Sequence, residues 1–267
     1  MSDVSVVVTN HNLGAYLPEA VESAWRERTR VIVVDDGSTE PGTDAVLDAL
    51  PADVTVIRQE NEGVAAARNR GIAAVDTDFV LVLDGDDRLA PGAVADLRAA
   101  LEAETHLGYA YGSMAFFGAW SGVLRMPPFD PYRLLYRHTI GLSALARRAV
   151  FDDTGGFDPA FAGYEDWELW VNALAHGWTG RQVERVALEY RRHPGGSKLG
   201  RDRRRYRRTW RQLRRKHAAL YARRRELARE SSLGRADRMV HRAVWGPRPI
   251  PARLEAAVQR RLFAAGG

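Results

Sequence analysis

The chain contains no cysteine. Disulfides, thiolate metal sites and cysteine nucleophiles are thereby excluded, so any chemistry must come from oxygen and nitrogen groups. Long apolar runs are also missing: nowhere do roughly 18 uninterrupted apolar residues of a membrane span occur. The opening MSDVSVVVTNHN lacks the basic start of a secretory leader, and its short apolar run is broken by Ser5. These absences lead us to expect a reducing, cytoplasmic setting. An even spread of charge is missing too. Residues 201–216 (RDRRRYRRTWRQLRRK) hold nine arginines, one lysine and one aspartate, a net charge of +9 against +5 for the whole chain. The remainder is therefore a mildly acidic body, at −4, with a strongly basic segment attached. No internal repeat is visible.

What is present is an alternation. Residues 4–9, 30–34, 54–58 and 78–83 are apolar and rich in β-branched side chains, which predicts strands. Between and after them, residues 16–25, 43–50, 64–74 and 91–102 carry helical spacing, the last with Pro91 near its first turn. This pattern argues for an α/β protein with a mostly parallel sheet and helices on both faces. Residues 109–193 read as more irregular, apart from a helix that begins at Glu165-Asp166, carries Trp167, Leu169, Trp170, Ala173 and Leu174, and stops at His176-Gly177. The two tryptophans, one turn apart, are expected in the core.

Each of the first four strands ends in polar residues: TNHN, DDGST, RQENEG and DGDD. Ligands of parallel α/β sheets bind at the carboxyl ends of the strands, so one site is expected along that edge. The acids Asp84, Asp86 and Asp87 follow a strand directly. Hard divalent cations take carboxylate ligands together with substrate phosphates, although a solvated acidic turn gives the same pattern. Gly85 lets the backbone turn and approach a ligand closely. Asp36 can accept a hydrogen bond from a nucleobase or ribose; a plain turn and helix cap is the alternative. Arg68 can reach a phosphate or base, or form only a surface salt bridge.

Seven segments in order, VSVVVTNHN, VIVVDDGST, NEGVAAARNRGI, FVLVLDGDD, GGFD, YEDWELW and YRRH, resemble the family 2 inverting glycosyltransferases of the GT-A fold. The resemblance covers about residues 3–197. It implies a GT-A catalytic domain over residues 1–197 and a basic, mainly helical extension over residues 198–267. It also implies transfer of a hexosyl-type sugar from a nucleoside diphosphate, of UDP or dTDP type, to a hydroxyl of a glycan, a lipid-linked glycan or a small molecule, as in polysaccharide or cell-envelope synthesis. By the same resemblance Thr9, His11, Asp36, Arg68, Asp84 and Asp86 contact the donor. Asp86 or Asp87, with His193, holds Mn²⁺ or Mg²⁺. Asp166 is the base, with Glu165 as runner-up; both acids also suit the positive end of the helix they open. His11 departs from the more common tyrosine, but an imidazole can still stack on a base. The acceptor surface is expected in residues 112–145, where the family pattern is loosest.

In the basic segment, Tyr206, Trp210, Leu213, His217 and Leu220 recur at helical spacing. This stripe suits packing on the body, or peripheral contact with the anionic inner face of a membrane; nucleic acid is not an expected partner. Residues 252–263 suggest a second amphipathic helix. Two other functions fit the sequence less well. A sugar-phosphate nucleotidyltransferase carries a basic, Gly-rich loop after its first strand, where this chain reads TNHNLGAY. A non-catalytic nucleotide or nucleic-acid-binding module would not need Glu165-Asp166.

Overall fold

The computed structural model describes residues 3–194 and 203–244. The first half alternates as the sequence predicts: β1 (Val4–Asn10), α1 (Leu17–Arg26), β2 (Arg30–Asp36), α2 (Thr43–Asp48), β3 (Thr55–Gln59), α3 (Val64–Ala73) and β4 (Phe79–Asp84). Then come β5 (Arg88–Leu89), α4 (Ala93–Ala103), β6 (Leu107–Gly118), β7 (Gly122–Leu124), α5 (Pro131–Leu134), β8 (Leu145–Arg147), α6 (Arg148–Thr154), α7 (Glu165–Ala175) and β9 (Thr179–Arg192). The basic segment supplies α8 (Arg203–Lys216), followed by α9 (Ala218–Ala222), α10 (Arg224–Glu230) and α11 (Arg235–Val244). The helix expected over residues 252–263 lies outside the described residues.

Among the described residues one sheet runs in the order β3-β2-β1-β4-β8-β6-β9-β5, with β7 paired to β6. Strands β3, β2, β1 and β4 are mutually parallel, and β8 pairs antiparallel to both β4 and β6. The central strands are buried on both sides, which is why they read as nearly continuous apolar runs. Their alternate residues feed two cores. Val6, Val8, Val31, Val33, Leu81 and Leu83 face the layer of α1 and α4. Val7, Ile32, Val34, Val80 and Val82 face α3 and α7. Each buried valine or leucine contributes about 1.5–3 kcal/mol, an upper range for real denatured chains.

Residues 109–193 are more regular than the sequence reading allowed. Strands β6 and β9, of 12 and 14 residues, run parallel over most of their length. Strand β9 reads TGRQVERVALEYRR, polar and only partly buried along its length, so it lacked the apolar run by which β1, β2 and β4 were found.

The basic segment packs rather than hangs free. Trp210, Leu213, Leu220, Tyr221 and Leu227 are buried in the same core as α7. Trp167 and Trp170, at 0% and 1% exposure, are core as expected.

Candidate active site

The ends of β1, β2 and β4 come together through short polar contacts. Gly85 N–H donates to the Thr9 carbonyl at 2.9 Å, and a Cβ at position 85 would sit 2.9 Å from that oxygen. Only glycine fits this close approach, and it sets Asp84 beside Thr9, whose hydroxyl donates to Asp84 Oδ1 at 3.4 Å. At the end of β2, Asp35 accepts from Asn10 and from Ser38. Asp36 is buried and accepts from Gln59 Nε2, Glu62 N and Gly63 N at 2.8–2.9 Å. These three bonds hold the loop between β3 and α3, and leave about one of the four carboxylate lone-pair directions over. His11 caps the same corner, with Nδ1 2.8 Å from the Asp36 carbonyl and Asn61 Nδ2 3.2 Å from its ring.

The three acids after β4 separate into different environments. Asp86 faces His193, Oδ2 to Nε2 at 2.7 Å, and both are partly exposed. Asp87 is buried and accepts the Arg191 N–H at 2.8 Å, which ties β9 to this corner. Burial first, then the charges of Asp84 and Asp86, push its carboxyl up to about 9. Asp84 accepts from Arg68 at 2.8 Å. Among the described residues no group of three or more His, Asp or Glu converges tightly enough to hold a metal ion alone. Asp86 and His193 nevertheless form an oxygen–nitrogen pair that fits a divalent cation also held by phosphate oxygens.

Arg68 is not a surface ion pair. It is buried, donating to Asp84 from one nitrogen and to Glu165 Oε1, at 2.9 Å, from another. It therefore joins the strand that carries the acids to the first turn of α7. Asn69, next to it on α3, exchanges two 2.8 Å hydrogen bonds with Phe157 and holds the GGFD turn that leads to α7. The second acid of α7, Asp166, accepts the Trp167 N–H at 2.8 Å and lies 2.9 Å from His138 Nε2. Burial alone would raise the Asp166 pKa. The His138 charge, Arg68 and the Trp167 N–H outweigh it, and the carboxyl sits below its ordinary range. For His138 the balance is similar: burial lowers its pKa, Asp166 and Glu165 raise it, and the net shift is upward.

His138 was not legible in the sequence. It comes from an irregular segment whose position is fixed by side chains far along the chain. Trp167 Nε1 donates to the Leu134 carbonyl, Trp210 Nε1 and Tyr221 Oη to that of Leu135, and Tyr206 Oη to that of Tyr136. The His138 ring stacks on Trp167, and Trp167 on Tyr206. Helix α8 also holds α7 through Glu168, fully buried, whose Oε1 lies 2.8 Å from Lys216 Nζ and 2.7 Å from His217 Nε2. The stripe on α8 is thus occupied by the body. Its rings are not available to a membrane; the exposed charges among its described side chains are those of Arg205, Arg208, Arg211, Arg214, Arg215 and Lys216.

Part of this set borders one cavity of about 610 Å³, whose lining does not include Thr9, His11, Asp36, Asp86 or His193. Arg68, Asp84, Asp87, His138, Glu165 and Asp166 line it, together with residues between 114 and 143.

Residues 5–165 match the family model of Glycosyl transferase family 2. The chain belongs to that family. It is 31% identical over 202 residues to the succinoglycan biosynthesis protein ExoU of Rhizobium meliloti, covering 66% of this chain and 58% of that protein. It is 32% identical over 183 residues to the pre-mycofactocin glycosyltransferase of Mycobacterium tuberculosis, covering 62% of this chain and 38% of that one. The chain therefore spans about half the length of these curated relatives. Among solved structures it resembles S. aureus TarS 1–349 in complex with UDP-GlcNAc, with a TM-score of 0.65 and 19% identity over 91% of this chain and 71% of that one. That likeness shows the fold: a GT-A-like domain whose curled, mostly parallel sheet carries the polar strand ends on one edge. No described helix is long and apolar enough to cross a membrane.

Proposed function

We propose that this chain transfers a sugar from a nucleoside diphosphate, of UDP or dTDP type, to an acceptor hydroxyl with inversion at the anomeric carbon. The observation that carries this reading is the Asp84–Arg68–Glu165 bridge, beside which Asp84, Asp87 and the Asp166–His138 pair line one cavity. Support for a nucleotide-sugar donor comes from family membership and from the UDP-GlcNAc complex of TarS.

Asp36, Thr9 and His11 line the place of the nucleoside. Asp86 and His193 are the residues that would hold Mn²⁺ or Mg²⁺. Asp87 stays beside them as a buried carboxyl group committed to the β9 backbone. A bound cation would neutralise the diphosphate as it leaves. Asp166 takes the proton of the acceptor hydroxyl while that oxygen bonds to the anomeric carbon and the bond to the diphosphate breaks. A single carboxylate base suffices, because inversion needs no covalent enzyme intermediate. His138 and the Trp167 N–H keep Asp166 ionised and aimed. Glu165, bonded to buried Arg68, serves better as a structural acid than as the base.

The exposed arginines of α8 and α10 add a secondary reading, a charge-only contact with an anionic membrane surface that would bring a lipid-linked acceptor near. Such contact gives up to about 1 kcal/mol per basic residue and weakens with salt. Co-sedimentation with anionic vesicles tests it, and no binding at low salt removes it. For the main reading, the test is a screen of nucleotide sugars for hydrolysis and transfer with Mn²⁺ present. Failure of every UDP and dTDP sugar to bind or turn over would overturn it.

A further inference from the structure

The cavity next to Asp166 holds a cation that the donor chemistry does not use. Arg192, the last residue of β9, is about nine-tenths buried. Its Nε has no hydrogen-bond partner, and among the described residues no carboxylate lies within ion-pair distance of its guanidinium. What surrounds it is aromatic: its guanidinium carbon lies 4.5 Å from the Trp120 ring centroid, 5.5 Å from that of Phe116 and 5.8 Å from that of Tyr190.

The backbone builds this arrangement. In the β6–β9 register Phe116 stands opposite Tyr190 and Gly118 opposite Arg192. Gly118, at φ +93°, turns the chain back so that Ala119 N bonds the Arg192 carbonyl; a Cβ at position 118 would lie 2.7 Å from that same oxygen. The turn brings Trp120 over the guanidinium. The neighbouring arginine behaves differently: Arg191 bonds Glu19 and the Asp86 carbonyl, and so belongs to the acid corner.

A guanidinium keeps its charge at any working pH. Burying it without an anion is unfavourable, and aromatic faces compensate only in part. Arg192 also lines the same cavity as Asp166, along with the apolar side chains of Met114, Leu124 and Met126. A ligand that satisfies this wall needs an anionic group for Arg192 and an apolar or ring-faced body for the aromatic and methionine side chains. Building on the glycosyl-transfer reading above, we propose that the cavity takes an acceptor carrying an anionic group, a phosphate or phosphodiester, with Arg192 as its counter-ion and the Phe116–Trp120–Tyr190 cage as its seat. The anion lies away from the hydroxyl that Asp166 deprotonates, so Arg192 sets which acceptor is chosen rather than how the bond is made.

The test is calorimetry on the full chain with UDP and Mn²⁺ saturating, so that the nucleotide site is filled and cannot take the probe. The probes are octyl phosphate, the neutral octyl glucoside, glycerophosphoglycerol and inorganic phosphate. Octyl phosphate should bind at least ~10-fold more tightly than octyl glucoside. Arg192→Met should weaken octyl phosphate by ~10-fold or more, Arg192→Lys should restore part of it, and Arg211→Met, on the exposed face of α8, should leave it unchanged. Tighter binding of octyl phosphate than of glycerophosphoglycerol identifies a lipid phosphate, and the reverse order a phosphodiester polymer. Equal affinity for octyl phosphate and octyl glucoside, tight binding of inorganic phosphate alone, or an Arg192→Met variant within twofold of wild type would overturn the proposal. UDP affinity is read in a separate titration. A chain that fails to bind UDP but shows the Arg192-dependent anion site would sink the transferase reading and the acceptor assignment with it, leaving Arg192 as an anion site alone.

Discussion

His138 Nε2 and Asp166 Oδ2 lie 2.9 Å apart, on segments 28 residues distant in sequence. Nε2 has no partner in good hydrogen-bonding geometry, so the contact is an ion pair rather than a straight hydrogen bond. Replacing His138 with glutamine keeps a polar group but removes the charge. We expect turnover to fall roughly 10- to 100-fold, the scale of a misplaced catalytic group. Because the His138 charge is among the groups that hold the Asp166 pKa down, the acid limb of kcat/KM should move to higher pH in His138→Gln. An unmoved limb would show that His138 does not act on the base.

The same pair has a signature in stability. Asp166 is shifted down, so its contribution is present above the ordinary carboxylate value of about 3.9 and is lost as pH falls through its lowered pKa. His138 is shifted up, so its contribution is complete below about 6.5 and is lost as pH rises through its raised pKa. The difference in Tm between wild type and His138→Gln should therefore be greatest between these limits and shrink on the alkaline side.

Asp166→Asn is expected to leave donor affinity nearly intact and lower turnover by ~10²-fold or more, the usual effect of losing a general base. Near wild-type turnover would move the role to Glu165.

For the acid corner, UDP should bind more tightly with Mn²⁺ than with EDTA, and Asp86→Asn should erase most of that difference. Calorimetry reads both. Equal affinity with and without metal in the wild type would remove the cation from the donor site.

The brace formed by α8 and α9 should be costly to cut. Trp210→Ala removes a buried indole and the donor to Leu135, and should lower stability by about 3–5 kcal/mol in urea unfolding. Tyr221→Phe removes only the second donor to the same carbonyl, at about 1 kcal/mol.

The polar edge of β1 to β4, the proposed donor side, was legible because its physics is local. Strands buried on both faces show as runs such as VIVV and FVLVL, and their polar ends follow at once. Asp84, Asp86, Asp36 and the head of α7 could be placed from that pattern and the family resemblance. The opposite wall of the cavity, the proposed acceptor side, could not. Strand β6 holds glycines that exist for close packing: a Cβ at Gly112 would lie 2.7 Å from the Ala187 Cβ, and one at Gly108 would lie 2.9 Å from the Trp178 ring. In the sequence such glycines look like loop residues. His138 and Arg192 acquire their meaning only from residues brought to them across the fold, Asp166 for one and Trp120 for the other. The stripe on α8 was visible, but its partner, the carbonyls of residues 134–136, has no side-chain signal at all.

Those carbonyls also give the chain an order of assembly. The four parallel strands β1 to β4 are complete once Asp84 has been made. Leu135, in contrast, waits for Trp210 and Tyr221, 75 and 86 residues later. Synthesis runs from the N-terminus and folds what it has delivered. A nascent chain can thus acquire the proposed nucleotide surface well before anything fixes His138 against Asp166. The proposed base is set in place last, with the arginine-rich helix.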